Sequence, residues 1–112
     1  MKKAVIAGYV RSPFTPAYKG EMAEISPDEI AAQTIRTLVD RTKVNPEDIE
    51  DLILGCAFPE GEQGLNIARL VVFLAKLPIK AAGTTVNRFC GSSMQSIHMA
   101  AGNIAAGAGE VF

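Results

Sequence analysis

Cysteine is scarce in this chain: two in 112 residues, Cys56 and Cys90. Two thiols 34 positions apart make no disulfide framework, and with a single histidine there is no cluster at zinc-ligand spacing, so no metal is expected. An excess of either charge is missing too. Eleven Lys and Arg stand against twelve Asp and Glu, a formal charge of −1. That leaves no basic face to neutralise phosphates and argues against a nucleic-acid partner. No apolar run approaches the ~20 residues that span a bilayer. Residues 1–9 (MKKAVIAGY) start basic, but their apolar stretch is too short for a signal peptide and no cleavage-like site follows. These absences together predict a reducing compartment and a cytoplasmic address. What the sequence does hold is apolar: 48% hydrophobic residues against 21% charged, enough to pack one domain and too much for a disordered chain.

Ala4-Val5-Ile6-Ala7 within Lys3–Tyr9 has the length and branching of a buried strand. The following stretch to Gly20, with two prolines and no periodicity, reads as loop. Ser26, Pro27 and Glu29 then form a helix-start signature of cap, first-position proline and capping-box acid. Ile30, Ala31, Thr34, Ile35, Leu38 and Val39 recur at helical spacing and predict an amphipathic helix over about 27–42. Asn45-Pro46 repeats the start signal for one turn. Leu52–Ala57 reads as a second strand, and 58–64 as a polar loop. Asn66 opens a helix to about Lys76 that is apolar almost all round, which predicts burial on more than one side, against another domain or a second subunit. Pro78 stops it. Thr84–Phe89 reads as a third strand, and Gly91 to about Ala106 as a third helix, with Met94, Ile97, Ala101, Ile104 and Ala105 as its apolar side. The order βαβαβα, with helices of crossover length, predicts an α/β fold on a mostly parallel sheet. Glu110-Val111-Phe112 looks like the opening of a fourth strand, so these residues are expected to be the amino-terminal part of a larger protein.

Cys90 is the residue best placed for chemistry. It sits at a strand-to-helix junction, followed by Gly91-Ser92-Ser93, residues suited to a tight turn and a helix start. First-turn N–H groups there favour an anion such as a thiolate. A sharp strand–nucleophile–helix turn also presents a backbone N–H to a developing oxyanion. The alternative is a small buried cysteine filling space at the top of a sheet. Cys56, inside an apolar strand with no base or cation beside it in sequence, reads as structural. His98 is separated from Cys90 by eight helical residues, about 12 Å along the axis, beyond the reach of a general base. Asn87 and Arg88 read as buried hydrogen-bonding residues that hold the Cys90 turn. Gly61, Gly64 and Gly83 punctuate loops, but no dinucleotide or P-loop pattern follows the first strand.

The run Thr85-Val86-Asn87-Arg88-Phe89-Cys90-Gly91-Ser92-Ser93-Met94-Gln95-Ser96-Ile97-His98 resembles the active-site segment of thiolases. It is most similar to the degradative β-oxidation branch, the 3-ketoacyl-CoA thiolases, which share the Cys-Gly-Ser-Ser-Met-Gln wording. Glu62-Gln63-Gly64-Leu65-Asn66-Ile67-Ala68-Arg69 is similar to the loop-helix of that branch, and Arg11-Ser12-Pro13-Phe14 to the loop after the family's first strand. The resemblance implies a layered αβαβα fold and a ping-pong acyl transfer. In it Cys90 attacks a 3-ketoacyl-CoA, releases acetyl-CoA and passes the shortened acyl chain to free CoA. It implies coenzyme A as co-substrate with no permanently bound cofactor. It also implies a homo-oligomer, with a β-oxidation partner subunit as a further possible associate.

Thiolases also carry a histidine in a Gly-His-Pro segment, a second catalytic cysteine and a CoA-binding loop domain. All lie downstream of the residues matched here. Residues 1–112 alone are therefore expected to be inactive. The alternatives are a biosynthetic acetoacetyl-CoA thiolase and a truncated, non-catalytic association module.

Overall fold

A computed structural model describes all 112 residues. Three helices and a two-stranded parallel sheet form a mixed α/β unit. Helix α1 spans Pro27–Thr42, β1 Asp51–Gly55, α2 Ile67–Leu74, β2 Ala82–Val86 and α3 Ser92–Ala106, with single 3₁₀ turns at Pro46–Asp48 and Gly61–Gln63. The unit β1–α2–β2 is a parallel crossover in which Asp51 pairs with Ala82 and Gly55 with Val86.

Alternation along β1 sorts its side chains onto two faces. Leu52, Leu54 and Cys56 pack with Ala32, Ile67, Val71 and Ala75 between the sheet, α1 and α2. Gly55 faces the start of α3. A cluster around Ile49, Val72 and Ala81 closes the other end. The large side chains wholly withdrawn from solvent, Ile67, Val71 and Val72, all belong to α2, so the crossover helix is the centre of the core.

Helix α1 matches the expected span, with Pro27 at its first turn, but Ser26 makes no side-chain cap. The Asp28 side chain instead accepts from the Glu29 N–H at 2.9 Å, and Lys43 ends the helix in the left-handed region with its N–H on the Val39 carbonyl. Asn45 caps as expected, accepting from the Glu47 N–H at 3.2 Å.

Two expectations need correction. Residues 3–9 form no strand: Val5 and Ile6 stand 82% and 76% exposed. Their composition suits a strand, but a strand exists only where an edge pairs with it, and no edge here does. Within residues 1–112 helix α2 is buried on one side, and the other apolar side, expected to lie against another domain or a second subunit, has nothing over it. Leu70, Phe73 and Leu74 remain partly exposed, and Lys76, left-handed at φ 56°, ends the helix before Pro78. In α3 the sequence suggests Met94 and Ile97 as the inner side, yet both are exposed, and Ser92 and Ser96 are buried instead. Helix α3 meets β1 at a glycine, so the backbones approach too closely for large side chains and small hydroxyls fill the contact. The fourth-strand reading of 110–112 has a counterpart in one parallel bridge between Val111 and Ile49.

Glu110 is tied to Lys2 by an exposed ion pair. The hydrogen bond from the Lys2 ammonium, and then its charge, hold the Glu110 carboxyl below its ordinary value. A depressed carboxylate contributes above its unfolded pKa, and that contribution is lost as pH falls through the folded value. Lys2→Gln is expected to raise the Glu110 titration midpoint seen by NMR. Little change in melting temperature should follow, because the pair is solvent-screened.

Candidate active site

The chain leaves β2 at Val86 and enters α3 at Ser92, and everything between is one tight turn. The Gly91 N–H donates to the Arg88 carbonyl at 3.0 Å, closing four residues with Phe89 and Cys90 in the middle. Phe89 is left-handed, φ 45°, a conformation that crowds the Cβ of any residue but glycine. Its surroundings hold it there. The Asn87 side chain accepts from the Phe89 N–H at 3.0 Å. The Ser92 hydroxyl accepts from the Arg88 N–H at 2.9 Å and donates to the Phe89 carbonyl at 2.7 Å. The Ser92 N–H reaches the same carbonyl at 3.1 Å.

Cys90 sits at the apex, a free and exposed thiol. Its backbone N–H has no acceptor within the chain. The reading of Cys90 as a buried space-filler is overturned: the turn lifts it off the sheet into solvent. Phe58 and Phe89, both exposed, approach one another beside it with ring centroids 6.4 Å apart. Arg88 donates to the Gln95 side chain at 2.5 Å, one turn into α3. Asn87 and Arg88 thus hold the turn as expected, but from exposed positions and not from a buried strand, because β2 ends at Val86.

Cys56 is buried just past β1, with its N–H on the Val86 carbonyl at 2.9 Å. His98 lies on an exposed part of α3, past its first turn. The two cysteines therefore differ in access. Iodoacetamide is expected to label Cys90 at least tenfold faster than Cys56 in the folded protein, read by peptide mass spectrometry. Equal rates would mean that the turn is not built as described.

Two supports, Gly55 and the Ser92 hydroxyl, have roles that the sequence does not assign. A Cβ on Gly55 would lie 2.4 Å from the Ser93 nitrogen and 2.6 Å from the Ser92 carbonyl carbon, so β1 needs glycine there for α3 to start where it does. A lone glycine inside a strand is the signal that could have found it. Nothing in the sequence distinguishes Ser92 from Ser93. The neighbouring segment 62–69 serves a different joint. Asn66 donates to the Gly83 carbonyl at 2.9 Å and accepts from Thr85, whose hydroxyl accepts from the Ala68 N–H at 3.1 Å. Arg69 reaches the carbonyls of Ile79 and Ala81. These bonds fasten α2 to β2 and fix where β2 delivers the turn.

A family model described as thiolase, N-terminal domain, matches residues 4–112. The chain belongs to that family. Among curated proteins, this thiolase N-terminal domain is 45% identical over 111 residues to a 3-ketoacyl-CoA thiolase of Psychrobacter arcticus. It is 44% identical over the same length to one of Acinetobacter baylyi, and 43% to one of Acinetobacter baumannii. Each alignment takes in 99% of this chain and 28% of the relative. The chain thus spans little more than a quarter of the length of those relatives. No helix in it is long and apolar enough to cross a membrane.

Proposed function

We propose that Cys90 is the acyl-carrying nucleophile of a degradative thiolase, an acyltransferase that cleaves a 3-ketoacyl-CoA with free CoA to give acetyl-CoA and a shortened acyl-CoA. The observation that carries the reading is the Cys90 turn: an exposed thiol at a helix start, with its own N–H unpartnered beside it. In the first half-reaction the sulfur adds to the keto carbonyl and the bond between C2 and C3 breaks. The electron pair leaves with the acetyl-CoA portion, which takes up a proton, and the acyl group stays on Cys90 as a thioester. In the second half, CoA thiolate adds to that thioester and Cys90 departs. A thiolate suits both halves, as nucleophile and as leaving group. The free Cys90 N–H is a donor for the oxyanion of either addition. The name shared by the curated relatives supports the choice of substrate.

In this reading residues 1–112 are the nucleophile-bearing part of the amino-terminal domain of a longer polypeptide. The proton carriers, the second cysteine and the CoA-binding loop domain lie outside them, and coenzyme A is co-substrate, not a bound cofactor. The half-exposed row Leu70, Phe73 and Leu74 suits assembly as a homo-oligomer, and a cytoplasmic address belongs to the same proposal.

Residues 1–112 by themselves are expected to release no more than one acetyl-CoA per chain from acetoacetyl-CoA plus CoA. Each step needs a positioned proton carrier, typically worth ~10²–10⁴ in rate, and His98 stands away from the turn. The full protein, expressed from its own gene, should release acetyl-CoA continuously. Failure of the full protein to turn over would sink the proposed function. Sustained release by residues 1–112 that is lost in Cys90→Ala would place the base within them.

A further inference from the structure

We propose that Ser92 is a positioning residue for Cys90, and that its buried hydroxyl sets the rate of acyl transfer without touching the substrate. The inference rests on the reading of Cys90 as the acyl carrier. Ser92 is only 4% exposed, yet its side chain does not point idly into the core. It accepts from the Arg88 N–H at 2.9 Å and donates to the Phe89 carbonyl at 2.7 Å. One hydroxyl therefore clasps the Asn87–Arg88 and Phe89–Cys90 peptide groups, on either side of the strained turn, and uses its only proton to do so.

Phe89 is the strained member of the turn, at φ 45°, and such a residue persists only where its surroundings over-determine it. Relaxation of Phe89 would swing the Cys90 N–H as well as its thiol, because the two residues share a peptide plane. The consequence is selective. Alkylation by a small neutral reagent needs only an accessible sulfur. Acyl transfer needs the sulfur and the N–H placed together, so that the carbonyl oxygen finds its donor as the carbon is attacked.

Ser96 supplies the comparison. It is buried on the same face of α3, 8% exposed, and its hydroxyl donates back to the Ser92 carbonyl at 3.2 Å, inside the helix and away from the turn. Both serines fill space against β1. Only Ser92 holds the peptide groups that lead into Cys90.

The test is made on the full protein with acetyl-CoA as acyl donor. In that step the Cys90 sulfur–acyl bond forms, the bond between acyl carbon and CoA sulfur breaks, and the thiol proton ends on the released CoA. Single-turnover acylation of Cys90 and its alkylation by iodoacetamide are both followed by peptide mass spectrometry. Ser92→Ala should slow acylation at least tenfold while alkylation stays within about twofold and Cys56 stays protected. Ser92→Thr, which keeps the hydroxyl, should recover most of the loss, and Ser96→Ala should change neither rate. If Ser92→Ala slows acylation no more than Ser96→Ala does, or slows both reactions equally, Ser92 is merely structural and the proposal falls. If Thr cannot be accommodated, the split between the two rates in Ser92→Ala still decides. Absence of any acylation of Cys90 in the unsubstituted protein would be a failure of the proposed function itself, and it is read before any variant is compared.

Discussion

Cys90→Ser is expected to abolish thiolysis by the full protein, a loss of at least about 10⁴-fold, the scale seen when a nucleophile is removed from an enzyme whose groups act as a unit. The substitution is almost isosteric, so the turn should survive it. Cys90 is exposed, and surface changes away from caps and packed contacts typically move stability by about 0.5 kcal/mol or less. What changes is chemistry. A serine hydroxyl is a weak nucleophile unless a base is positioned to take its proton, and the residues around the turn offer none. Arg88 cannot accept a proton at neutral pH, the Asn87 and Ser92 side chains are occupied in holding the backbone, and Gln95 accepts from the Arg88 side chain. Near-normal turnover in Cys90→Ser, measured as acetyl-CoA release, would move the acyl group to another residue.

Gly55→Ala should produce a large loss of stability, and with it a loss of activity at a residue that never meets substrate. Its new Cβ would stand 2.4 Å from the Ser93 nitrogen, 2.6 Å from the Ser92 carbonyl carbon and 2.7 Å from the Ser93 Cα. All three are backbone atoms at the start of a helix and cannot swing aside as a side-chain tip could. Relief requires α3 to move off β1, and overpacking of this kind typically costs about 1–3 kcal/mol. The displaced part is the first turn of α3, so the clasp around Phe89 and the aim of Cys90 shift with it. Gly102→Ala is the matching control. It lies in the same helix, is exposed, and a Cβ there would meet nothing within 4 Å. It should stabilise by roughly 0.5–1 kcal/mol through helix propensity alone. Thermal denaturation of the two variants should therefore move in opposite directions. A neutral Gly55→Ala would show that α3 does not rest on β1 as closely as described.

The parts of the fold legible in the sequence are those fixed by local signals. Pro27 and the spacing from Ile30 to Val39 mark α1 at both ends, Asn45-Pro46 marks its turn, and the apolar runs at 52–57 and 84–89 place two strands within a few residues of where they form. The misreadings share a cause. Whether Val5 and Ile6 make a strand depends on an available edge, and whether Met94 or Ser96 faces inward depends on how closely α3 approaches β1. Both are properties of distant parts of the chain. At the site the sequence marks Cys90 by its neighbours, while the devices that hold it are legible only in three dimensions. Ser92 looks like Ser93 until its hydroxyl is seen to bridge Arg88 and Phe89, and Gly55 looks like filler until Ser93 is seen against it.

The most direct test of Cys90 as acyl carrier is to trap the intermediate. The full protein is mixed with a 3-ketoacyl-CoA longer than acetoacetyl-CoA, without free CoA, quenched in acid, digested and examined by mass spectrometry. The account predicts acetyl-CoA in solution and, on the Cys90 peptide alone, a thioester-linked acyl group two carbons shorter than that of the substrate. An unmodified Cys90 alongside released acetyl-CoA, or the shortened acyl group on any other residue, would contradict it.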